Sequence, residues 1–298
     1  MSEIKNYKNA DLGTSFRLPV GLGRQGEGGA RISRGKLKTS VDERPLISVV
    51  TVVFNGGDFI EKTILSVLGQ KYSNVEYIII DGGSTDGTLD ILRRYEGLIE
   101  YWVSERDSGI YDAMNKGAEI ASGDWICFMN GGDLFFDDRV IHKIAESITP
   151  TSQVCFGKSL STYEDMQVVR YEDFGSSERD FYLTKMPNHQ AIFIRKDKYK
   201  SVRYSLDYRY CSDTDYLRRV FDEAAYCEYP GFVSRFELGG VSNYYGKFSV
   251  YRAMVKEYRM LGYGYFYSFF AHSIKYFFQL SMGRKRYLRF YAARIVRR

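Results

Sequence analysis

The sequence predicts an α/β fold, with a mainly parallel sheet flanked by helices and a helical extension at the C-terminus. Two observations lead to this prediction. Four apolar, β-branched runs alternate with three helix-like segments between residues 45 and 130, and uniformly apolar runs are typical of strands buried on both faces. A strand–helix–strand order also requires crossover connections, which make consecutive strands parallel.

The predicted elements follow one another with short connections. The first strand is LISVVTVVF, after Pro45, and the first helix is GDFIEKTILSVLGQ, in which Ile60 and Ile64 share one face. The second strand is VEYIIID, and the second helix is STDGTLDILRRY, for which we expect Ser84 or Thr85 as the N-cap. The strand IEYWVSE, the helix SGIYDAMNKGAEIA and the strand DWICFMN complete this half.

Beyond residue 150 the strict alternation ends. We expect strands of a mixed sheet in QVCFGKSL, DMQVVRYE and HQAIFIR, a helix in CSDTDYLRRVFDE, and a strand pair between residues 224 and 238. Two helices, at about 245–261 and 264–281, follow. The first 44 residues are polar and rich in Gly and Arg, and we interpret them as an extended arm that can pack on the domain but has no core of its own.

Composition excludes several protein classes. The chain has 298 residues, of which 44% are hydrophobic and 27% charged, and this balance is typical of a globular protein. Its four cysteines form no CxxC pair, so they predict reduced thiols rather than a zinc site or a disulfide framework. The sequence shows no secretory signal and no charge-free apolar run long enough to span a membrane.

Candidate ligand-binding residues follow each of the four predicted parallel strands. Ligands of such sheets bind beyond the carboxyl ends of the strands, so these residues are expected to meet in one crevice. They are Val53, Phe54 and Asn55 at the end of the first strand, Asp81 and Gly82 at the end of the second, Asp107 after the third, and Asn130 and Asp133 at the end of the fourth.

Four segments, in this order and at this spacing, resemble the family 2 glycosyltransferases of the Rossmann-like GT-A fold. They are PLISVVTVVFN, VEYIIIDGGSTDGT, DSGIYDAMNKG and GDWICFMNGGD, and the resemblance extends over roughly residues 45–240. The chain is similar in particular to bacterial enzymes that build O-antigen, capsule or exopolysaccharide repeat units on a lipid carrier. The resemblance implies an inverting transfer of a sugar from a nucleotide-diphosphate sugar to a hydroxyl of a lipid-linked saccharide.

The resemblance also implies how the chain is organised and where it acts. After the N-terminal arm (residues 1–44) come a nucleotide-sugar-binding half (45–150), an acceptor-binding half with the catalytic base (151–243) and the C-terminal helices (244–298). A lipid-linked acceptor implies a cytoplasmic enzyme that lies peripherally on the inner face of the cytoplasmic membrane.

Two acidic residues take defined roles from the resemblance. In the family, a carboxylate after the second strand helps to hold the nucleoside, and a DxD-like motif after the fourth binds a divalent metal. These positions correspond to Asp81 and Asp133, and a hard cation, Mg²⁺ or Mn²⁺, would neutralise the departing diphosphate. The sequence departs from the family at Gly82, where a second aspartate is common, and in Asn130–Asp133, which keeps only the last carboxylate. Alternatively, Asp133 caps the turn or helix that begins near Asp137.

The third helix and the second half of the chain add further candidates. Free N–H groups at Asp107–Gly109 are expected to meet the donor, or Ser108 is only an N-cap; both interpretations stay open. Tyr111 and Asn115 lie one helical turn apart on the crevice side and are interpreted as walls of the site. His189 precedes a strand, where it either contacts the acceptor or the diphosphate or holds a loop by hydrogen bonds.

The catalytic base is expected at the start of a helix. Inverting transfer is a single displacement and needs one carboxylate to take the proton of the acceptor hydroxyl, whereas retaining enzymes of the hydrolase type need two across the bond. By resemblance, the stretch CSDTDY offers Asp213 as the base and Asp215 as a structural neighbour. The alternative is that both residues only cap and charge the N-terminus of the helix.

The C-terminal segment is aromatic and basic. Residues 251–298 carry eleven Lys and Arg residues and one acidic residue, Glu257, which leaves a net charge of −5 to residues 1–250. Tyr and Phe crowd residues 263–278, and GRKR follows, which favours an amphipathic helix on an anionic membrane surface. The alternative is packing on the catalytic domain or on a second copy in a homodimer. No nucleic-acid-binding motif accompanies these charges.

Other functions were weighed against the same residues. A sugar-1-phosphate nucleotidylyltransferase would need a basic, Gly-rich loop after the first strand, but VVFNGGDF contains no basic residue. A dinucleotide-dependent dehydrogenase would need GxGxxG at the same place, and this motif is absent. A catalytically inactive sugar- or nucleotide-binding scaffold of a polysaccharide assembly complex stays open, because the metal motif is reduced to one carboxylate.

Overall fold

The computed structural model describes residues 15–40, 44–163, 166–170, 187–221, 224–237 and 248–296. One sheet runs through these residues. Its strands are β1 (Gly26–Gly28), β2 (Ile47–Val53), β3 (Val75–Asp81), β4 (Tyr101–Ser104), β5 (Trp125–Phe128), β6 (Leu134–Phe135), β7 (Val154–Tyr163), β8 (Met166–Arg170), β9 (Ile192–Arg195) and β10 (Tyr226–Glu237). Helices cover both of its faces. They are α1 (Ala30–Arg34), α2 (Ile60–Leu68), α3 (Thr88–Arg94), α4 (Ile110–Ile120), α5 (Val140–Ser147), α6 (Lys196–Ser201), α7 (Ser212–Phe221), α8 (Phe248–Met260) and α9 (Tyr265–Val296).

The strand order confirms the predicted α/β sheet. It is β1-β4-β3-β2-β5-β9-β7-β10-β6, with β8 paired to β7. The four strands β4, β3, β2 and β5 are parallel, whereas β9 is antiparallel to both β5 and β7, so the second half makes the sheet mixed as predicted. The chain moves outward from β2 in opposite directions through β3 and β5. Open α/β sheets bind ligands at such a reversal, beyond the carboxyl ends of the strands.

The central strands are buried because helices pack on both of their faces. Every residue of β2 is buried, and its side chains alternate between two apolar clusters. Val49 packs with Ile60 and Ile64 of α2 on one face, and Val50 packs with Met114 of α4 on the other. The uniformly apolar composition of β2 therefore reflects two packed faces rather than one.

Two predicted helix caps are wrong. The helix α3 begins at Thr88 with Gly87 as its N-cap, and α4 begins after Gly109 rather than Ser108. Neither cap provides a side-chain hydrogen bond. The hydroxyl of Ser84 is unavailable to α3 because it donates to the carboxylate of Asp81.

The second half contains one long strand where a pair was expected. The strand β10 runs from Tyr226 to Glu237, and its register against β7 shifts between Glu228 and Phe232 and again before Ser234. Such shifts mark bulges, and a bulge in one strand mimics a turn in the sequence pattern. The short helix α6 was not predicted.

The C-terminal helices confirm the predicted pair, although the second is longer than expected. The helix α9 continues to Val296 and contains a kink at Gly283, where φ is 73° and ψ is 161°. The predicted end near residue 281 corresponds to this kink. No described helix is both long enough and apolar enough to cross a membrane.

The described part of the N-terminal arm, residues 15–40, packs on the rest of the domain. The strand β1 adds to the edge of the sheet, antiparallel to β4. Arg31 is fully buried; its guanidinium donates to the carboxylate of Glu76 and, over 3.0 Å, to the carbonyl oxygen of Ile120. Glu76 also accepts bonds from Ser48 and Ser122. A three-residue strand and a buried arginine leave no periodic signal in the sequence.

Replacing Arg31 by methionine is expected to lower the free energy of unfolding by about 3–5 kcal/mol, because the Glu76 carboxylate would stay buried without its cation. Urea denaturation measures this loss. The matched control is Arg93→Met, since Arg93 and its partner Asp90 are both exposed and their ion pair is worth about 1 kcal/mol or less. Equal losses for the two variants would contradict this account of the arm.

Candidate active site

Hydrogen bonds join the loop after β2 to the loop after β3, and a buried carboxylate, that of Asp81, holds Ser84 in the second loop. Asp81 is fully buried and accepts hydrogen bonds from the Ser84 N–H (3.0 Å), the Ser84 hydroxyl and the Ser104 hydroxyl (2.5 Å). The N–H of Asn55 donates to Ser84 Oγ over 2.7 Å, and Asn55 Oδ1 accepts from the Thr85 N–H over 3.0 Å. Both oxygens of Asp81 are thus engaged by the protein, and its direct contact with a nucleoside stays a prediction.

Asp107 fills the place beside Gly82 where the family often has a second aspartate. A Cβ atom on Gly82 would lie 2.6 Å from Oδ2 of Asp107, so a larger residue at position 82 would displace this carboxylate. The other oxygen, Oδ1, accepts a 2.9 Å bond from the Gly109 N–H, and burial raises the pKa of Asp107. The carboxylate of Asp107, which follows β4, therefore lies where a side chain at position 82 would otherwise lie.

The loop after β5 is held from below by α2. The N–H of Gly132 donates to Thr63 Oγ1 over 2.9 Å, and the Thr63 hydroxyl donates to the carbonyl oxygen of Asp133 over 3.0 Å. Gln190 Nε2 donates to Asp133 Oδ2 over 3.1 Å. Sequence reasoning missed Thr63 and Gln190. A polar residue on the otherwise apolar face of α2 was the signal available for Thr63.

The carboxyl group of Asp133 is not a helix cap. The N–H group that precedes α5, that of Arg139, donates to Asp137 instead, over 2.8 Å, so the helix-capping alternative is wrong. Burial raises the pKa of Asp133 to about 6, although the neighbouring His189 and the bond from Gln190 act in the opposite direction. Asp133 therefore loses its proton less readily than an exposed aspartate, and a bound cation would favour the deprotonated form.

The oxygens beside Asp133 fit a hard cation. Oδ1 of Asn130 is buried and has no hydrogen-bond partner among the described residues. It and the Asp133 carboxylate belong to the same turn, in which the Asp133 N–H donates to the Asn130 carbonyl oxygen, and both are oxygen donors of the kind that Mg²⁺ and Mn²⁺ prefer. Within the described ranges, no group of three or more His, Cys, Asp or Glu residues is arranged to hold a metal. The remaining ligands would therefore have to be oxygens of a diphosphate and of water.

His189 connects this loop to the predicted base. Its Nε2 lies 2.8 Å from Asn130 Nδ2, and its Nδ1 lies 3.5 Å from Asp213 Oδ2. Asp213 begins the first turn of α7, and its Oδ1 accepts bonds from the Tyr111 hydroxyl (3.3 Å) and the Thr214 N–H (2.8 Å). The predicted donor-side and acceptor-side residues therefore meet in one crevice. His189 holds that crevice together, as one of its two interpretations expected.

The neighbour of the base has a different role. Asp215 accepts a 2.6 Å bond from Nη2 of Arg219, one helical turn along α7. This ion pair is consistent with Asp215 as the structural neighbour that the resemblance implies. Among the described residues no Lys or Arg is paired with Asp213, and its side chain is 31% exposed; its role as the base stays a prediction.

Stacked tyrosines set the position of α7 against α4. The ring of Tyr111 stacks on Tyr204 at 5.6 Å, and Tyr204 stacks on Tyr216 at 4.2 Å. Asn115 accepts from the Tyr204 N–H and donates to its carbonyl oxygen, both over 3.0 Å. Asn115, which we had interpreted as a wall of the site, thus positions the chain around Tyr204. Sequence reasoning noted the many tyrosines but not this use of them.

Val53, the last residue of β2, and Phe54, which follows it, differ in exposure. Val53 is buried, and its carbonyl oxygen accepts from the Gly82 N–H over 2.9 Å, so it contributes to the floor of the crevice. Phe54 is 63% exposed and is available to a ligand. Direct ligand contacts by all of the predicted residues remain predictions.

The raised pKa of Asp133 predicts a pH-dependent affinity for metal. Because this carboxyl must lose its proton to bind a cation, the affinity for Mn²⁺ in the presence of a nucleoside diphosphate should be constant well above pH 6. Below pH 6 it should fall about tenfold per pH unit. Calorimetry at several pH values, in buffers of different ionisation enthalpy, measures both the affinity and the released proton. An affinity that is independent of pH between 5 and 7 would contradict this role of Asp133.

Comparisons with known proteins point to one family. The model of Glycosyl transferase family 2 matches residues 48–224. An uncharacterized glycosyltransferase of Mycobacterium tuberculosis (strain H37Rv) is 34% identical over 190 residues, which cover 62% of this chain and 71% of the relative. TuaG of Bacillus subtilis, whose name assigns it to teichuronic acid biosynthesis, is 41% identical over 100 residues, or 33% of this chain and 40% of TuaG.

Solved structures share the fold. TarS (residues 1–349) of S. aureus with UDP-GlcNAc has a TM-score of 0.58 at 17% identity over 70% of this chain and 64% of that chain, so this chain spans less than two thirds of that length. The mannosyltransferase PcManGT of Pyrobaculum calidifontis, with GDP-Man and Mn²⁺, has a TM-score of 0.56 at 14% identity over 84% and 79%. At such identities these likenesses show the fold, which is the predicted GT-A arrangement.

Proposed function

The chain belongs to glycosyl transferase family 2, and we propose that it is an inverting, metal-dependent enzyme that transfers a sugar from a nucleotide-diphosphate sugar to a saccharide hydroxyl. The observation that supports this proposal most strongly is that His189 contacts both Asn130, in the loop that carries Asp133, and Asp213. A carboxylate for a metal and a carboxylate for a proton are the two groups that the reaction needs.

In this proposal Asp213 is the general base. Its carboxylate takes the proton of the acceptor hydroxyl as that oxygen forms a bond to the anomeric carbon. The bond between that carbon and the diphosphate oxygen breaks in the same step, and its electron pair leaves with the diphosphate. The Tyr111 hydroxyl donates to Asp213, and burial together with the Asp213 charge raises the pKa of Tyr111. Tyr111 therefore stays protonated and orients the base.

The donor side of the crevice would hold the nucleotide. Asp133 and Asn130 would bind Mg²⁺ or Mn²⁺, which when bound neutralises the charge that develops on the departing diphosphate. Asp107 and the loop that Asp81 shapes would contact the nucleoside at the ends of β3 and β4. The structures of TarS with UDP-GlcNAc and of PcManGT with GDP-Man and Mn²⁺ support a nucleotide sugar and a divalent metal as the ligands.

We further propose that the acceptor is a lipid-linked saccharide of a cell-surface polysaccharide, and that α9 binds the inner face of the cytoplasmic membrane. The name of TuaG supports the pathway class. The helix α9 supports the membrane: its buried residues include Ser268, His272 and Gln279, whereas Phe266 and Phe277 are 74% and 65% exposed. A helix with polar residues inside and aromatic residues outside fits an apolar partner.

The charge of α9 favours an anionic lipid surface as that partner. Lys285, Arg286 and Arg289 are exposed along the same helix, and each basic residue near anionic lipid contributes about 1 kcal/mol. Cosedimentation with phosphatidylglycerol vesicles, but not with neutral phosphatidylcholine vesicles, is the expected result, and Phe266→Ser with Phe277→Ser should abolish it. A stable dimer in light scattering that the same variant dissociates, without vesicle binding, would show instead that a second copy covers this face.

A panel of nucleotide sugars tests the proposed activity. UDP-, GDP- and dTDP-sugars are incubated with Mn²⁺ and the protein, and the released nucleoside diphosphate and the anomeric configuration of the product are measured. Turnover of one donor with inversion, lost on chelation, is expected. Binding of a nucleotide sugar without any turnover by the wild type would favour the inactive scaffold, which the single carboxylate in Asn130–Asp133 leaves as the second candidate.

A further inference from the structure

A buried carboxylate from the C-terminal helices binds the chain directly before the predicted base. Glu257 of α8 is 3% exposed. Its Oε1 accepts a hydrogen bond from the Arg209 N–H, and its Oε2 accepts from the Tyr210 and Cys211 N–H groups, each over 2.9 Å. The next residue begins α7, and the one after it is Asp213.

Three consecutive N–H groups that converge on one anion form a tight backbone concavity. Burying a carboxylate is costly unless such donors satisfy it, so the contact holds only when the 209–211 backbone keeps this shape. The negative charge also lies next to the N-terminus of α7, where the helix dipole favours it. Glu257 therefore fixes both the direction in which α7 begins and the conformation of the chain that leads into it.

Other contacts make this junction a rigid unit. Cys211 Sγ lies 3.9 Å from Met254 Sδ, one turn along α8, and the Ser212 hydroxyl donates to the carbonyl oxygen of Ser205 over 2.8 Å. The helix α8 is itself held by α9, through the Tyr251 and Ser273 hydroxyls at 2.8 Å. The base is thus attached to the C-terminal helices as well as to the sheet.

We propose that Glu257 is a positioning residue that holds Asp213 at the distance and angle needed to take the acceptor proton. This inference rests on the proposed function, because it assumes that Asp213 is the base. It assigns the C-terminal helices a part in the chemistry that does not depend on membrane binding. No contact between Glu257 and a substrate is required, so donor binding should be independent of it.

The test compares Glu257→Gln with Tyr251→Phe, which removes a hydrogen bond from the same helix pair but does not touch residues 209–211. With the donor that the wild type uses, Glu257→Gln should lower kcat by about 10- to 100-fold, since small displacements of a reacting group cost that much. The Kd of UDP and of GDP, with Mn²⁺, should change less than about twofold. Glu257→Asp, which keeps the charge, should recover part of kcat, and Tyr251→Phe should keep most of it.

A second readout does not depend on activity. Hydrogen exchange of the amides in residues 205–217 should become faster in Glu257→Gln and stay unchanged in Tyr251→Phe. Unchanged exchange there would overturn the positioning role, and so would a kcat equal to that of Tyr251→Phe, or nucleotide affinity that falls as much as kcat. If the wild type transfers no sugar, the proposed function fails, and the exchange measurement alone then decides whether Glu257 holds this junction.

Discussion

Replacing Asp213 by asparagine should lower turnover by about 10²- to 10⁴-fold, the usual contribution of a general base. Asparagine keeps the size of the side chain and can still accept from the Tyr111 hydroxyl, but it cannot take a proton. The affinity for the nucleotide sugar should therefore be nearly unchanged, because the proposed role of Asp213 is to take a proton from the acceptor and not to bind the donor. Steady-state kinetics of transfer, with donor affinity from calorimetry, separates these two quantities.

The matched control for this prediction is Asp215→Asn, two residues along the same helix. It removes the ion pair with Arg219, which is worth about 1 kcal/mol or less of stability, and it should leave turnover within about threefold of the wild type. Loss of turnover in Asp215→Asn but not in Asp213→Asn would show that Asp215 is the general base and Asp213 the structural residue. Undiminished transfer in Asp213→Asn would remove Asp213 as the base.

Replacing Asp133 by alanine should reduce both turnover and metal-dependent nucleotide binding. The variant lacks the Asp133 carboxylate but keeps the Oδ1 atom of Asn130, which has no hydrogen-bond partner among the described residues. Stabilisation of a leaving group by a metal is worth several kcal/mol, so we expect turnover to fall by about 10²-fold or more. The affinity of a nucleoside diphosphate in the presence of Mn²⁺ should fall by about tenfold, and its affinity in the presence of a chelator should not change.

Asp137→Ala is the control for Asp133→Ala. Asp137 is an aspartate in the same connection, but its carboxylate is bound by Lys143 over 2.8 Å and by the Arg139 N–H. This variant should bind metal and nucleotide like the wild type. Unaltered Mn²⁺ dependence in Asp133→Ala would show that the cation is held elsewhere.

The parallel half of the fold could be predicted because its signals are local. The strands β2 and β3 are apolar on both faces, and α2 has a clear apolar face. Each of these elements can therefore be recognised from its own residues, without knowing which other elements it packs against. The ends of these strands were therefore predictable too, and with them the positions of Asp81 and Asp133. What remained hidden was the use of each side chain once neighbouring loops met.

Contacts between distant segments explain what the sequence did not predict. The carboxylate of Asp81 accepts hydrogen bonds from Ser84 and Ser104, and the carboxylate of Asp107 occupies the space beside Gly82. The residue spacing within one segment does not reveal such contacts between segments. Sequence reasoning did not single out Arg31 in the arm, because its partner is a buried carboxylate 45 residues away. Glu257 was the one acidic residue of a basic tail, and its three backbone partners lie in another part of the chain.

The proposed metal and nucleotide site can be tested by a crystal structure of the protein with Mn²⁺ and the nucleoside diphosphate of its preferred donor. Anomalous scattering would locate the manganese. The account predicts a manganese peak at the Asp133 carboxylate, with diphosphate oxygens completing its coordination, and Asp213 across His189 facing the vacant acceptor side. A nucleotide bound outside the carboxyl ends of β2, β3 and β5, or manganese without Asp133 as a ligand, would contradict it.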